Sequence, residues 1–85
     1  MLTFSDIYEA MRKEKYSENL QILPKAFLVG VSDYFREKKA FLDKEGDLFS
    51  DVAIKSKKKL DNAHTSFRDL LRIRKKKILN LAFVA

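Results

Sequence analysis

The single histidine, His64, is the side chain best suited to proton transfer at neutral pH. No serine, cysteine or carboxylate stands at a spacing typical of a catalytic triad around it. The chain has no cysteine, and one histidine without cysteine ligands does not make a typical transition-metal site. We therefore interpret His64 as a surface or packing residue, and we expect no enzymatic activity, no metal and no cofactor.

The acidic segment Asp43–Asp47 superficially resembles a calcium-binding loop. Its glycine occupies the fourth position instead of the sixth, and no bidentate glutamate stands at the twelfth. We interpret this segment as the loop that ends a helix. The sequence also contains no glycine-rich loop of the kind that binds phosphates.

Basic side chains are concentrated in the last third of the chain. Residues 1–54 contain 8 basic and 10 acidic residues, a net charge of −2, whereas residues 55–85 contain 10 basic and 2 acidic residues, a net charge of +8. This asymmetry favours an acidic partner or a nucleic acid.

The two basic runs, Lys55–Lys59 and Arg72–Lys77, suit either phosphate contact or a solvated helix surface. At 100° per residue, the second run points to all sides of a helix. If DNA is bound, we expect weak and sequence-independent contact led by the first run. Its basic residues are Lys55, Lys57, Lys58 and Lys59.

The elements that carry these residues are predicted to be helices. The chain has 85 residues, of which 46% are hydrophobic, with two glycines and one proline, which favours a single α-helical domain over residues 1–85. No window of about 18 apolar residues is present, and no apolar segment follows a basic N-terminus. We expect a cytoplasmic protein without a membrane partner, associated with the nucleoid in a prokaryote.

Apolar spacing and caps predict three helices. The first spans about Ser5–Lys15, with Thr3 or Ser5 as its cap, and the second starts at Pro24 and runs for about 19 residues. The third runs from about Asp47 to near the C-terminus, with an optional break at Lys55–Lys59. The predicted fold is all-α, a three-helix bundle-like domain with a long C-terminal helix.

Seven residues at helical spacing form the predicted core. They are Phe27, Val31, Tyr34, Phe35, Phe67, Leu70 and Leu71. Gly30, in the middle of the second helix, either permits close packing or is tolerated at a cost of about 1 kcal/mol.

The third helix is predicted to carry an interface with another chain. More than 30 residues would span roughly 50 Å, which is long for so small a domain. Its last segment, Ile78–Ala85, is apolar on every side, which indicates burial against a partner, with fraying of the terminus as the alternative. The predicted interface comprises Leu70, Leu71, Arg74, Ile78, Leu79, Leu81, Ala82 and Phe83.

Arg74 interrupts the apolar stripe of this helix. An arginine within an apolar seam is usually paired, because an unpaired buried charge costs several kcal/mol. We expect its partner to be Asp33 or Glu37 of the second helix, or an acidic residue of a neighbouring chain. The alternative is that its aliphatic stem carries the charge out to solvent.

Three segments in order resemble a known family. They are Tyr8–Glu14, Leu20–Phe27, which contains a Leu-Pro-x-x-Phe helix start, and a third-helix segment that includes Asp61–Ala63 and Leu70–Ala82. Within the last of these, Arg74 precedes Lys77-Ile78 and a Leu-Ala pair follows. Together they resemble the N-terminal helical domain of archaeal GINS subunits.

The resemblance implies a non-enzymatic DNA replication factor. GINS is a four-subunit scaffold that bridges the MCM helicase to a RecJ-like partner and can contact primase, and its helical domain builds the tetramer. A β-rich domain normally accompanies the helical one; none is encoded in residues 1–85. The expected partners are therefore other GINS subunits, MCM helicase and a RecJ-like protein. A stand-alone basic nucleic-acid-binding module and a helical adaptor unrelated to replication remain the alternatives.

Overall fold

The computed structural model describes residues 1–44, 46–47 and 49–84, the last of these by its backbone only. It contains α1 at Phe4–Lys15, α2 at Lys25–Lys44 and α3 at Asp51–Val84, and no strand among the described residues. The predicted all-α fold with a long C-terminal helix is confirmed.

A capping box fixes the start of α1. The backbone N–H of Thr3 donates to Oδ2 of Asp6 at 2.7 Å, and the N–H of Asp6 donates back to Oγ1 of Thr3 at 3.4 Å. This reciprocal pair satisfies donors that the first helical turn leaves free. Thr3 is therefore the cap, and the helix starts one residue before the predicted Ser5.

The prediction that α3 begins at about Asp47 is wrong by four residues. The carboxylate of Asp47 accepts a hydrogen bond from the N–H of Phe49 at 2.9 Å, which holds a turn before the helix. Ser50 is the cap, because its Oγ accepts from the N–H of Ala53 at 3.1 Å. From there α3 continues for 34 residues without a break at Lys55–Lys59.

The length of α3 sets the dimensions of the molecule. At 1.5 Å per residue the helix is roughly 51 Å long, and the longest dimension of the molecule is 54 Å. Both α1 and α2 pack against α3, which therefore contributes to the whole core.

Four buried hydrophobic side chains form one cluster where the three helices meet: Ile7, Val31, Tyr34 and Ala63. Ala53 and Leu70 of α3 are also buried, outside this cluster. Ala53 and Ala63 were not predicted; such small side chains let a neighbouring helix approach closely. Ile7 is likewise absent from the seven residues of the predicted core.

Burial of the predicted core is confirmed for three positions and partial for three others. Val31, Tyr34 and Leu70 are buried. Phe27, Phe35 and Phe67 are half-buried against this core. The prediction for Leu71 is wrong, because it is turned 100° from Leu70 and is 46% exposed.

Gly30 serves close packing. A Cβ at this position would lie 3.1 Å from Cδ1 of Leu2, so the chain before α1 lies directly against the backbone of α2. Of the two explanations for this glycine, the structure supports the packing one.

Leu70→Ala should lower the free energy of unfolding by about 2–5 kcal/mol, because it leaves a cavity in the core. Leu71→Ala, one residue further along the same helix, is the matched control. Its loss should be below about 1 kcal/mol, since nearly half of the Leu71 side chain is already exposed to solvent. Urea denaturation followed by circular dichroism measures both, and equal losses would contradict the packing described above.

Candidate functional site

A buried carboxylate lies at the end of α1. Glu14 follows Ile7 by seven residues, so the two side chains share one face of the helix and both are 0% exposed. A charge in this position requires partners, because desolvating an unpaired carboxylate costs several kcal/mol.

Two basic side chains of α3 supply the pairing. Nη1 of Arg74 donates to Oε1 of Glu14 at 2.8 Å, and Nζ of Lys77 donates to Oε2 at 2.6 Å. Arg74 and Lys77 are three residues apart and therefore neighbours on the helix surface. Their side chains are only 19% and 16% exposed.

The predicted partners of Arg74 are wrong. Asp33 and Glu37 lie on α2 near the middle of α3, where Phe35 stacks on His64. That point is ten residues, or roughly 15 Å, from Arg74 along the helix. Asp33 instead pairs with Arg36 of α2 itself at 3.5 Å. An intrachain partner on α1 also removes the need for an acidic residue of another chain at this position.

The same basic side chains bind the loop between α1 and α2. Nη1 of Arg74 donates to the carbonyl of Gln21 at 2.6 Å. Nζ of Lys77 lies 2.7 Å from the carbonyl of Glu14 and 3.0 Å from that of Asn19. The N–H of Gln21 donates to Oε2 of Glu14 at 3.2 Å. We call Glu14, Gln21, Arg74 and Lys77 the ion-pair cluster.

Opposing effects set the pKa of Glu14. Burial alone would raise the pKa of this carboxyl group, but hydrogen bonds from Lys77, Arg74 and the N–H of Gln21 outweigh burial and hold the pKa below its ordinary value of 4.5. Glu14 is therefore ionised at neutral pH and forms ion pairs with both basic side chains.

Beyond Lys77, α3 exposes apolar side chains. Residues 78–84 form what we call the C-terminal overhang. Leu81 follows Leu70 by eleven residues and lies on the same face, yet Leu70 is 0% exposed and Leu81 is 59% exposed. Exposure is 51% for Ile78, 49% for Leu79 and 88% for Phe83. The buried face of α3 thus continues past the end of its own core.

The predicted interface residues fall into two groups. Leu70 belongs to the core and Arg74 to the ion-pair cluster, so their main contacts lie within the chain. The others are exposed: Leu71, Ile78, Leu79, Leu81, Ala82 and Phe83. Their role in binding a partner remains a prediction.

The first basic run does not form one patch. Lys57 and Lys58 line a cleft between the end of α2 and the start of α3, together with Lys39. Lys59 lies on the other side of α2, beside Lys38. All four lysines of the run, Lys55, Lys57, Lys58 and Lys59, are exposed.

His64 stacks face to face on Phe35, with ring centroids 4.1 Å apart and the rings parallel. Its own side chain is exposed. Among the described residues, no three histidine or carboxylate side chains come together as a metal site.

In comparisons with known proteins, no family model, no curated protein and no solved structure matches this chain. The likeness to GINS subunits therefore rests on the sequence motifs. Within the described part of the chain, no helix combines the length and the apolar character needed to cross a membrane.

Glu14→Gln should lower the free energy of unfolding by about 2–4 kcal/mol, because it leaves Arg74 and Lys77 without a counter-charge in a mostly buried position. The matched control is Glu9→Gln, which removes an exposed pair with Arg12 at 3.5 Å. That change should cost less than about 1 kcal/mol. Urea denaturation at pH 7 compares them, and similar losses would contradict a stabilising cluster.

The ion-pair cluster should also make stability depend on pH. The pKa of Glu14 is lower in the folded chain than in the unfolded one, so the folded state binds fewer protons in acid. Its contribution is complete above the ordinary value of 4.5 and is lost as the pH falls through the lowered pKa. As the pH is lowered from 6, the melting temperature of the parent should fall more steeply than that of Glu14→Gln. Parallel curves would refute this linkage.

Proposed function

We propose that this chain is a non-enzymatic assembly domain that binds another protein through the C-terminal overhang of α3. The observation that carries the proposal is the continuation of an apolar helix face beyond the core, from Leu70 to the exposed Leu81. Monomeric proteins rarely expose a large contiguous apolar surface, and such surfaces often bind a partner.

The position of the ion-pair cluster supports this proposal. Arg74 and Lys77 hold α3 to α1 and to the loop immediately before the overhang starts at Ile78. The overhang continues the same uninterrupted helix. A preorganised helix loses less conformational entropy on binding than a flexible segment does, which favours association.

More specifically, we propose the helical domain of a GINS-like subunit within a tetrameric replication scaffold that bridges the MCM helicase to a RecJ-like partner, with primase as a further contact. The ion-pair cluster supports this assignment, because it joins all three segments that resemble GINS. Glu14 comes from the first segment, Gln21 from the second, and Arg74 and Lys77 from the third. The three segments are thus held together through one buried carboxylate, that of Glu14.

A stand-alone basic module that binds nucleic acid is the alternative. The observation in its favour is the set of exposed lysines Lys39, Lys57 and Lys58 around the cleft between α2 and α3. Asp43 and Asp61 line the same cleft and reduce its positive potential.

The test is reconstitution with a purified GINS subunit of the opposite domain order from the same source, analysed by size-exclusion chromatography with light scattering. The parent should form a stable complex. Leu81→Asp should abolish it, because the substitution places an unpaired charge in a desolvated seam. Lys57→Glu/Lys58→Glu, at the other end of α3, is the matched control and should leave the complex intact.

No complex with the parent, or one that withstands Leu81→Asp, would reject the assembly role of the overhang. DNA binding abolished by Lys57→Glu/Lys58→Glu, without any subunit complex, would favour the nucleic-acid module. Circular dichroism of each variant verifies that the helices persist.

A further inference from the structure

The last turns of α3 carry positive charge that the described residues of the chain do not neutralise. Residues 70–85 include five basic side chains and no acidic one. Arg74 and Lys77 both pair with Glu14, and Arg72 pairs with Asp69 at 3.3 Å. Lys75 and Lys76 are exposed, and no carboxylate of the described residues lies within ion-pair distance of either.

These two lysines border the overhang on the side away from the ion-pair cluster. At 100° per residue, Lys75 and Lys76 lie on either side of the direction taken by Leu79, which follows them by one turn. Leu79 is 49% exposed. A partner helix that covers Leu79 therefore brings its own flanking side chains beside both lysines.

The overhang of a second copy supplies the wrong charges for this contact. Pairing one overhang with another would bring together two segments that each have five basic side chains and no aspartate or glutamate in residues 70–85. A helix with an apolar stripe flanked by glutamate or aspartate supplies both the apolar surface and the missing counter-charges.

We infer that the overhang binds an acidic amphipathic helix of a different protein, whose apolar stripe covers Leu79 and, one turn further on the same side, the 88% exposed Phe83, and whose carboxylates pair with Lys75 and Lys76. This inference rests on the proposed assembly role of the overhang and specifies the chemistry of the partner.

The test uses a fluorescent amphipathic helical peptide with a leucine stripe flanked by glutamates, and a twin peptide with lysine at each glutamate position. Binding to the full chain is followed by anisotropy. The parent should bind the glutamate peptide at least about tenfold more tightly than its twin. This preference should shrink as salt rises from about 50 to 200 mM.

Charge reversal of the chain provides the specific control. Lys75→Glu/Lys76→Glu should no longer bind the glutamate peptide and should bind the lysine twin instead, because acidic side chains now flank the same apolar surface. Lys57→Glu/Lys58→Glu changes the net charge by the same amount at a distant position and should keep the parent's preference. Circular dichroism confirms that both variants remain helical.

Several outcomes would overturn the inference and leave the assembly role intact. One is equal binding of both peptides, abolished by Leu79→Asp. Another is self-association of the parent that Leu79→Asp disrupts, which would identify a second copy as the occupant. If neither peptide binds, the inference is also overturned. The assembly role is tested separately by the subunit reconstitution described above. A further contrary outcome is displacement of the glutamate peptide by duplex DNA that is lost in Lys75→Glu/Lys76→Glu. It would identify a nucleic acid, and not an acidic helix, as the ligand of these lysines.

Discussion

A carboxylate fully removed from water constrains every element around it. Glu14 is 0% exposed, and leaving such a charge unpaired would cost a large part of the stability of a small domain. The folded chain therefore needs Arg74, Lys77 and the N–H of Gln21 in place at the same time. This requirement fixes the end of α1, the course of the following loop and the position of α3 along α1.

The location of the ion-pair cluster along α3 decides where the core stops. Lys77 donates hydrogen bonds to the carbonyls of Glu14 at the end of α1 and of Asn19 in the loop. Beyond it, the side chains of Ile78 and Leu81 are 51% and 59% exposed. The overhang is held at its base by the most strongly paired side chains of the molecule. An exposed apolar helix with a fixed direction is suited to docking against another helix. On this view, the residues that stabilise the domain also present its binding surface.

Much of this arrangement could be predicted from the sequence. Apolar periodicity and capping residues predicted three helices, and the interruption of an apolar stripe predicted that Arg74 is paired. The partner was wrong, because periodicity shows which face of a helix is buried but not which other helix lies beside it. A signal was nevertheless present: Glu14 follows Ile7 by seven residues and so lies on the apolar face of α1. The start of α3 was misplaced because Asp47 and Ser50 are both good caps and only tertiary structure chooses between them.

The central claim is that Glu14 and Arg74 are energetically coupled and thereby hold α1 to α3. A double-mutant cycle measures this coupling directly, from urea denaturation of the parent, Glu14→Gln, Arg74→Met and the double variant. Each single change should be strongly destabilising, whereas the double variant should lose much less than their sum, with a coupling free energy above about 1 kcal/mol. Losses that add to within about 0.5 kcal/mol would contradict the claim and reduce the ion-pair cluster to independent surface contacts.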